Sequence, residues 1–242
     1  MAEELRLSEQ EKVRRGKMED LRAKGLDPFG HKFVRTSNSL KIKEQYLDCT
    51  KEELEEKNVE VSIAGRIMSK RRQGKIGFMH IQDREGKIQI FMRADSVSED
   101  DYELFKVADI GDIIGITGIV MKTQTGELSV KATKYTHLTK ALRPLPEKFH
   151  GLQDREEARR RRYVDLIMNE EARRIAYLRP RIIRGLQKYL DDLGYIEVET
   201  PVLSPILGGA SARPFVTHHN TLDMDFYLRI ATELHLKRLI VG

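Results

Sequence analysis

From Val59 onward the apolar residues fall on every second position, and this change of period constrains the fold more than any other feature. Val59, Val61, Ile63 and Ile67 point one way and Glu60, Ser62 and Arg66 the other, the mark of a strand with one buried face. A basic loop, Lys70-Arg71-Arg72-Gln73-Gly74-Lys75, leads into a second strand over 78–82, which Asp83-Arg84-Glu85-Gly86 turns into a third over 87–93. Ser98 is placed to cap a short helix carrying Tyr102, Phe105 and Val107. A fourth strand spans 113–122, with Gly115 and Gly118 marking bends or bulges, and Gln124-Thr125-Gly126 turns the chain into a fifth over 128–135.

Three strands, a helix and two strands is the element order of the five-stranded all-β OB-fold barrel. Its two faces separate by parity. Met79, Ile81, Ile88, Ile90 and Met92 form the core set, leaving Phe78, His80, Gln82, Gln89, Phe91 and Arg93 outward. OB folds bind oligonucleotides on the face of strands two and three. An aromatic there stacks an unpaired base, contributing about 1–3 kcal/mol. Phe78 is that aromatic, Gln89 supplies an amide for a base edge, and Arg71 or Lys70 supplies charge for phosphates or bases. Phe78 alone would also serve to cover the barrel mouth. Its convergence with an amide and a basic loop favours RNA.

Ahead of the barrel, residues 1–58 read as a charged helical extension. Ser8 with Glu11 and Thr50 with Glu53 are capping boxes; Val13, Met18 and Leu21 give a thin apolar stripe that Gly25 and Pro28 end, and Leu54 offers one packing position. The basic residues of the first helix suit either a nucleic-acid backbone or a solvated face. A formal charge of +5 favours a polyanionic partner. The single cysteine, Cys49, excludes a disulfide framework. With no apolar run long enough for a signal core or a bilayer span, the expectation is a cytoplasmic protein without membrane contact.

Behind the barrel the period changes again. Residues 140–165 read as a linker, with Pro144 and Pro146 blocking helix and a basic run at Arg159-Arg160-Arg161-Arg162. Those arginines suit either a nucleic-acid backbone or internal pairing with Glu156, Glu157 and Asp165. Residues 166–242 then begin a second domain. Ile175, Leu178, Ile182, Leu186, Leu190 and Leu193 mark a helix with one apolar stripe, and Gly194 ends it. Residues 195–203 alternate apolar and acidic positions up to Pro201 and predict a strand. A loop, Gly208-Gly209-Ala210-Ser211-Ala212-Arg213-Pro214-Phe215, and a second apolar pattern, Asp225-Phe226-Tyr227-Leu228-Arg229-Ile230-Ala231-Thr232-Glu233-Leu234, follow.

The order of helix, Gly194-Tyr195-Ile196-Glu197-Val198-Glu199-Thr200-Pro201, Gly-Gly-Ala loop and Tyr227-Leu228-Arg229-Ile230-Ala231-Thr232-Glu233-Leu234 resembles the opening of a class II aminoacyl-tRNA synthetase catalytic domain, an α+β fold on an antiparallel sheet. The helix and strand are similar to motif 1 of that class, which implies a homodimer; Pro180 inside the helix departs from a smooth motif 1. The wording Gly208-Gly209-Ala210-Ser211-Ala212-Arg213-Pro214-Phe215 resembles the lysyl-tRNA synthetase family, of subclass IIb. Aspartyl and asparaginyl relatives word this loop differently, and the third reading is a non-catalytic RNA-binding OB module.

The resemblance implies ATP-dependent activation of L-lysine to lysyl-adenylate, then transfer to tRNA(Lys). It implies that the OB domain reads a U-rich anticodon through Arg71, Phe78, Gln89 and Glu127. It further implies that Gly208 and Gly209 present backbone to the substrate and that Glu233 binds the α-ammonium of lysine. Arg213 would approach the tRNA acceptor end. ATP is the expected cosubstrate. The arginines of motifs 2 and 3, the ligands of Mg2+ and the carboxylates for the lysine side chain are expected beyond Gly242, so no catalytic or metal-binding residue is expected within this stretch. On this reading it is the first half of the enzyme, binding tRNA and inactive alone.

Overall fold

The computed structural model describes residues 7–30, 32–146 and 154–242. The chain divides after Val164 into two compact units, the second being Asp165–Gly242.

The first unit is the barrel with its N-terminal helices. Strands β1 (Glu60–Gln73), β2 (Ile76–Gln82), β3 (Lys87–Arg93), β4 (Ile113–Lys122) and β5 (Leu128–Thr139) close in the order β1-β2-β3-β5-β4. Every pairing is antiparallel except β3 with β5, and helix α4 (Glu99–Val107) bridges the gap in sequence between β3 and β4. The inward parity of β1 to β3 is the expected one: Ile63, Ile67, Met79, Ile81, Ile88, Ile90 and Met92 are at most 2% exposed, and Ile114, Ile116 and Val130 of β4 and β5 are buried with them. Phe105 of α4 is fully buried with them, and a Cβ on Gly77 would overlap its ring. The helix therefore seats on β2 only because that position has no side chain.

β5 runs to Thr139, past its expected end at 135, and two further features differ from the sequence reading. Residues 70–73, expected in a loop, continue β1 as one arm of a long hairpin with β2. Between Ile67 and Ser69 the register shifts by one residue. Such a bulge exchanges the two faces of a strand. Odd positions face the core before it, and after it Lys70 sides with Met79 while Arg71 pairs with Phe78 on the outer face.

The N-terminal helices close over this barrel. α1 (Glu9–Ala23) and α3 (Lys51–Lys57) begin with both expected capping boxes. Between them α2 (Ser39–Tyr46), which the apolar pattern did not reveal, is capped by Asn38. Ile42 and Leu54 enter the barrel core, and the Asp83 carboxylate accepts bonds from the Ser39 N–H and hydroxyl at 2.7 and 2.6 Å. At the far end, buried Lys140 donates to Asp109 at 2.5 Å and to Asp112 at 2.8 Å, while Arg14 of α1 donates to the carbonyls of Ala141 and Ile110 at 3.0 Å. Part of the expected linker, residues 147–153, lies outside the described residues. In α5 (Arg155–Arg160) and the turn after it, Arg160 and Arg161 pair with Glu156 and Glu157 at 2.9 and 2.7 Å.

The second unit carries most of α6 (Arg162–Met168), then α7 (Glu170–Asp192), which runs through Pro180. Gly194, at φ 86°, ends α7 with paired bonds from its own N–H to Asp191 and from Tyr195 N–H to Leu190. The expected strand over 195–203 reduces to β6 (Leu203–Ser204). Alternation alone makes no strand: residues 195–202 have no neighbouring strand among the described residues to supply a ladder. β7 (Val216–His219) and β8 (Met224–Leu228) complete an antiparallel sheet in the order β6-β8-β7, and α8 (Glu233–Val241) follows.

Candidate nucleic-acid interface

Two rows of residues run across the outer face of the barrel, and strand register sets both. Arg71 pairs with Phe78, Phe78 with Phe91 and Phe91 with Lys131. Two residues along, Ser69 pairs with His80, His80 with Gln89 and Gln89 with Ser129. Because side chains alternate with period two, both rows share one face. The β4–β5 turn adds Glu127, whose N–H donates to the Thr123 hydroxyl at 3.1 Å.

These residues border an open groove of about 1150 Å³. Arg71, Phe78, Gln89 and Glu127, the four candidate anticodon residues, all line it. Lys51 and Glu55 of α3 form part of its wall, together with Arg72, Phe91, Lys122 and Thr123. The lining holds four cations, Lys51, Arg71, Arg72 and Lys122, against two carboxylates, Glu55 and Glu127, a balance suited to a polyanion. Phe78 and Phe91, both half-buried, tilt at 40° with ring centroids 5.1 Å apart. Phe91 and His80, outward by parity but given no role from sequence, thus sit beside the candidate residues. Strand pairing was the signal that places them there.

Hydrogen bonds organise the second row. Gln89 Nε2 donates to Glu127 Oε2 at 2.6 Å and Gln89 Oε1 accepts from the Ser129 hydroxyl at 2.8 Å. His80 Nε2 lies 3.0 Å from Glu127 Oε1 and His80 Nδ1 lies 3.1 Å from the Ser69 hydroxyl. Gln89 is outward as expected, yet only 5% exposed, because these partners cover it.

Lys70 is not in the groove, contrary to the sequence reading. The bulge turns it under α4, where its ammonium donates to the carbonyls of Phe105, Lys106 and Ala108 at 2.6, 3.0 and 2.7 Å. Burial is the main cause that lowers its pKa to about 8. Cations favour the C-terminal carbonyls of a helix, so this lysine fastens the hairpin arm that carries Arg71.

The second unit places its candidates separately. Gly208 lines a small pocket with Ser204, Tyr227, Arg229, Leu234 and Arg238, and a Cβ there would overlap Leu234. Glu233 opens α8 beside Gly209 and outside that pocket's lining. Its carboxylate accepts from Lys237 at 2.6 Å, a bond that lowers its pKa. Among the described residues no group of three or more His, Cys, Asp or Glu side chains is placed to hold a metal ion. None of the described helices is long and apolar enough to cross a membrane.

Comparison with known proteins agrees with this geometry. Residues 61–138 match the model of the OB-fold nucleic acid binding domain, and residues 154–242 that of the class II tRNA synthetases (D, K and N). The chain is 60% identical over 236 residues to lysine–tRNA ligase of Bacillus subtilis, covering 98% of this chain and 47% of that protein. It is 60% identical over 242 residues to the enzyme of Lactococcus lactis subsp. cremoris, covering 100% and 49%. Against that of Enterococcus faecalis it is 61% identical over 236 residues, covering 98% and 47%. The chain spans about half the length of the curated relatives it matches.

Proposed function

We propose that this chain is the tRNA-reading part and the beginning of the catalytic domain of a class II lysine–tRNA ligase. Such an enzyme activates L-lysine with ATP to lysyl-adenylate and transfers the lysyl group to tRNA(Lys). The observation that carries the reading is the convergence of Arg71, Phe78, Gln89 and Glu127 on one groove of the barrel. There Phe78 stacks an unpaired anticodon base, Gln89 and Glu127 bond its edge, and Arg71 holds the backbone or a neighbouring base.

In the second unit, Gly208, Gly209 and Glu233 are assigned to the lysine pocket. The Glu233 carboxylate already accepts from one ammonium, that of Lys237, and the α-ammonium of lysine is a group of the same chemistry. Lysine's charged groups need such partners, because an unpaired charge in a closed site is costly. Ile175, Ile182 and Leu186 on α7, and Leu193 just after its end, are exposed. That apolar stripe supports a homodimer through motif 1. The domain division assigned here is a helical extension over 1–58, the OB domain over 59–139, a linker over 140–165 and the start of the catalytic domain over 166–242. A cytoplasmic enzyme using Mg2+ fits the family. No residue of this chain is assigned to hold it.

The test is binding of this chain to the lysine tRNA anticodon hairpin at fixed salt, beside the same hairpin with its central uridine changed. Binding weakened by the base change supports the reading. Equal binding of both hairpins, following salt alone, would reduce the groove to a general polyanion site.

A further inference from the structure

A base-reading groove must fix the order of donor and acceptor it offers, because uracil and cytosine differ only by reversing that order at position 4 and N3. An amide is ambiguous here: rotated by half a turn, it exchanges donor and acceptor. In this groove the amide is Gln89, and one neighbour, the Glu127 carboxylate, allows it only one orientation, because an ionised carboxylate can only accept. Its Nε2 faces the Glu127 carboxylate at 2.6 Å, where an oxygen would meet two other oxygens. Its Oε1 faces the hydroxyl of fully buried Ser129 at 2.8 Å, which also lies 3.1 Å from the Glu127 carbonyl, so that this contact holds the amide in place while the carboxylate sets its order. The carboxylate is held in turn: His80 lies 3.0 Å from its other oxygen, and Ser69 lies 3.1 Å from the far ring nitrogen of that histidine. The chain Ser69, His80, Glu127, Gln89, Ser129 thus crosses β1, β2, β3 and β5 and the turn before β5. Both side chains line the groove, and the second N–H of Gln89 and the further lone pairs of Glu127 are the groups left for a base.

We propose that Ser129 and His80 are positioning residues for base selection. They hold in place the Gln89 amide and the Glu127 carboxylate, whose mutual bond sets a single donor–acceptor order, and this fixed placement separates uracil from cytosine in the groove. Neither touches the base: Ser129 acts through the Gln89 amide, His80 through the Glu127 carboxylate. The inference rests on the reading of the groove as an anticodon site. It goes beyond that reading by assigning the discrimination, rather than the affinity, to two side chains that do not line the groove.

The experiment measures dissociation constants of the whole chain for the lysine anticodon hairpin and for the same hairpin with its central uridine replaced by cytidine. Wild type is compared with Ser129→Ala, Ser129→Thr and His80→Leu, each confirmed as folded by circular dichroism. In Ser129→Ala and His80→Leu the ratio of cytidine to uridine dissociation constants is expected to fall by about fivefold or more, the lower bound for one paired base contact. Ser129→Thr, which keeps the hydroxyl, is expected to restore the ratio. An unchanged ratio in folded Ser129→Ala overturns the proposal, and so does a loss that Ser129→Thr fails to restore, since packing would then be its cause. If wild type itself does not distinguish the two hairpins, the anticodon reading fails, and the positioning role with it.

Discussion

The rings of Phe78 and Phe91 meet across β2 and β3 with centroids 5.1 Å apart, so the aromatic assigned to stacking is itself supported by a second aromatic. Removing the first should cost what a base stack contributes: Phe78→Ala is expected to weaken anticodon-hairpin binding by about 1–3 kcal/mol. Phe91→Leu keeps apolar cover and loses only the ring pair, so its expected effect is smaller, about 0.5–1.5 kcal/mol. Fluorescence anisotropy with a labelled hairpin at constant salt measures both. A larger loss for Phe91→Leu would exchange the two roles.

Lys70 should leave a mark on the pH dependence of stability. Its folded pKa, about 8, lies below the ordinary lysine value of 10.5, with burial the main cause. Between those two values the unfolded chain holds the proton more tightly than the folded one, so stability rises with pH through this window. Other lysines and tyrosines also titrate there, which makes the difference from Lys70→Met the informative quantity. The melting temperature of wild type minus that of the variant is expected to climb from pH 8 to pH 10. A flat difference would mean that the three carbonyl bonds cancel the effect of burial.

Gly77 and Phe105 form a pair in which one residue has no side chain so that the other can enter. Gly77→Ala overpacks the contact and is expected to destabilise the barrel by about 1–3 kcal/mol. Phe105→Leu should absorb part of that cost when combined with it. Urea titrations of the two single variants and the double variant give the coupling, and strict additivity would place the strain elsewhere.

The ammonium of Lys140, whose side chain is 2% exposed, lies between Asp109 and the fully buried Asp112. Lys140→Met removes one partner of a buried charge pair, and the expected loss is about 3–5 kcal/mol. The double variant Lys140→Met with Asp112→Asn should recover part of it, because the uncompensated carboxylate is then gone. Denaturant midpoints of the two variants decide this.

How much of this was legible in the sequence differs from element to element. Five strands, α4 and the two capping boxes follow from period and capping chemistry, which act over a few residues and need no tertiary partner. The outward parity of Phe78 and Gln89 follows from the same rule. The strand expected at 195–203 fails because a strand also needs a neighbour, and alternation does not say where one is. α2 escaped because its one fully buried apolar residue, Ile42, gives no period.

The sequence by itself thus determined the barrel, the outward face of β2 and β3 and the wording of residues 194–215. Only the tertiary structure decided which basic side chains reach the groove. One bulge after Ile67 exchanges the faces of β1, sending Lys70 under α4 and Arg71 beside Phe78. It likewise brought His80 and Ser129 into one hydrogen-bonded row with Gln89 and Glu127. Register between strands far apart in sequence is set by the closure of the whole barrel, and no local pattern carries that information.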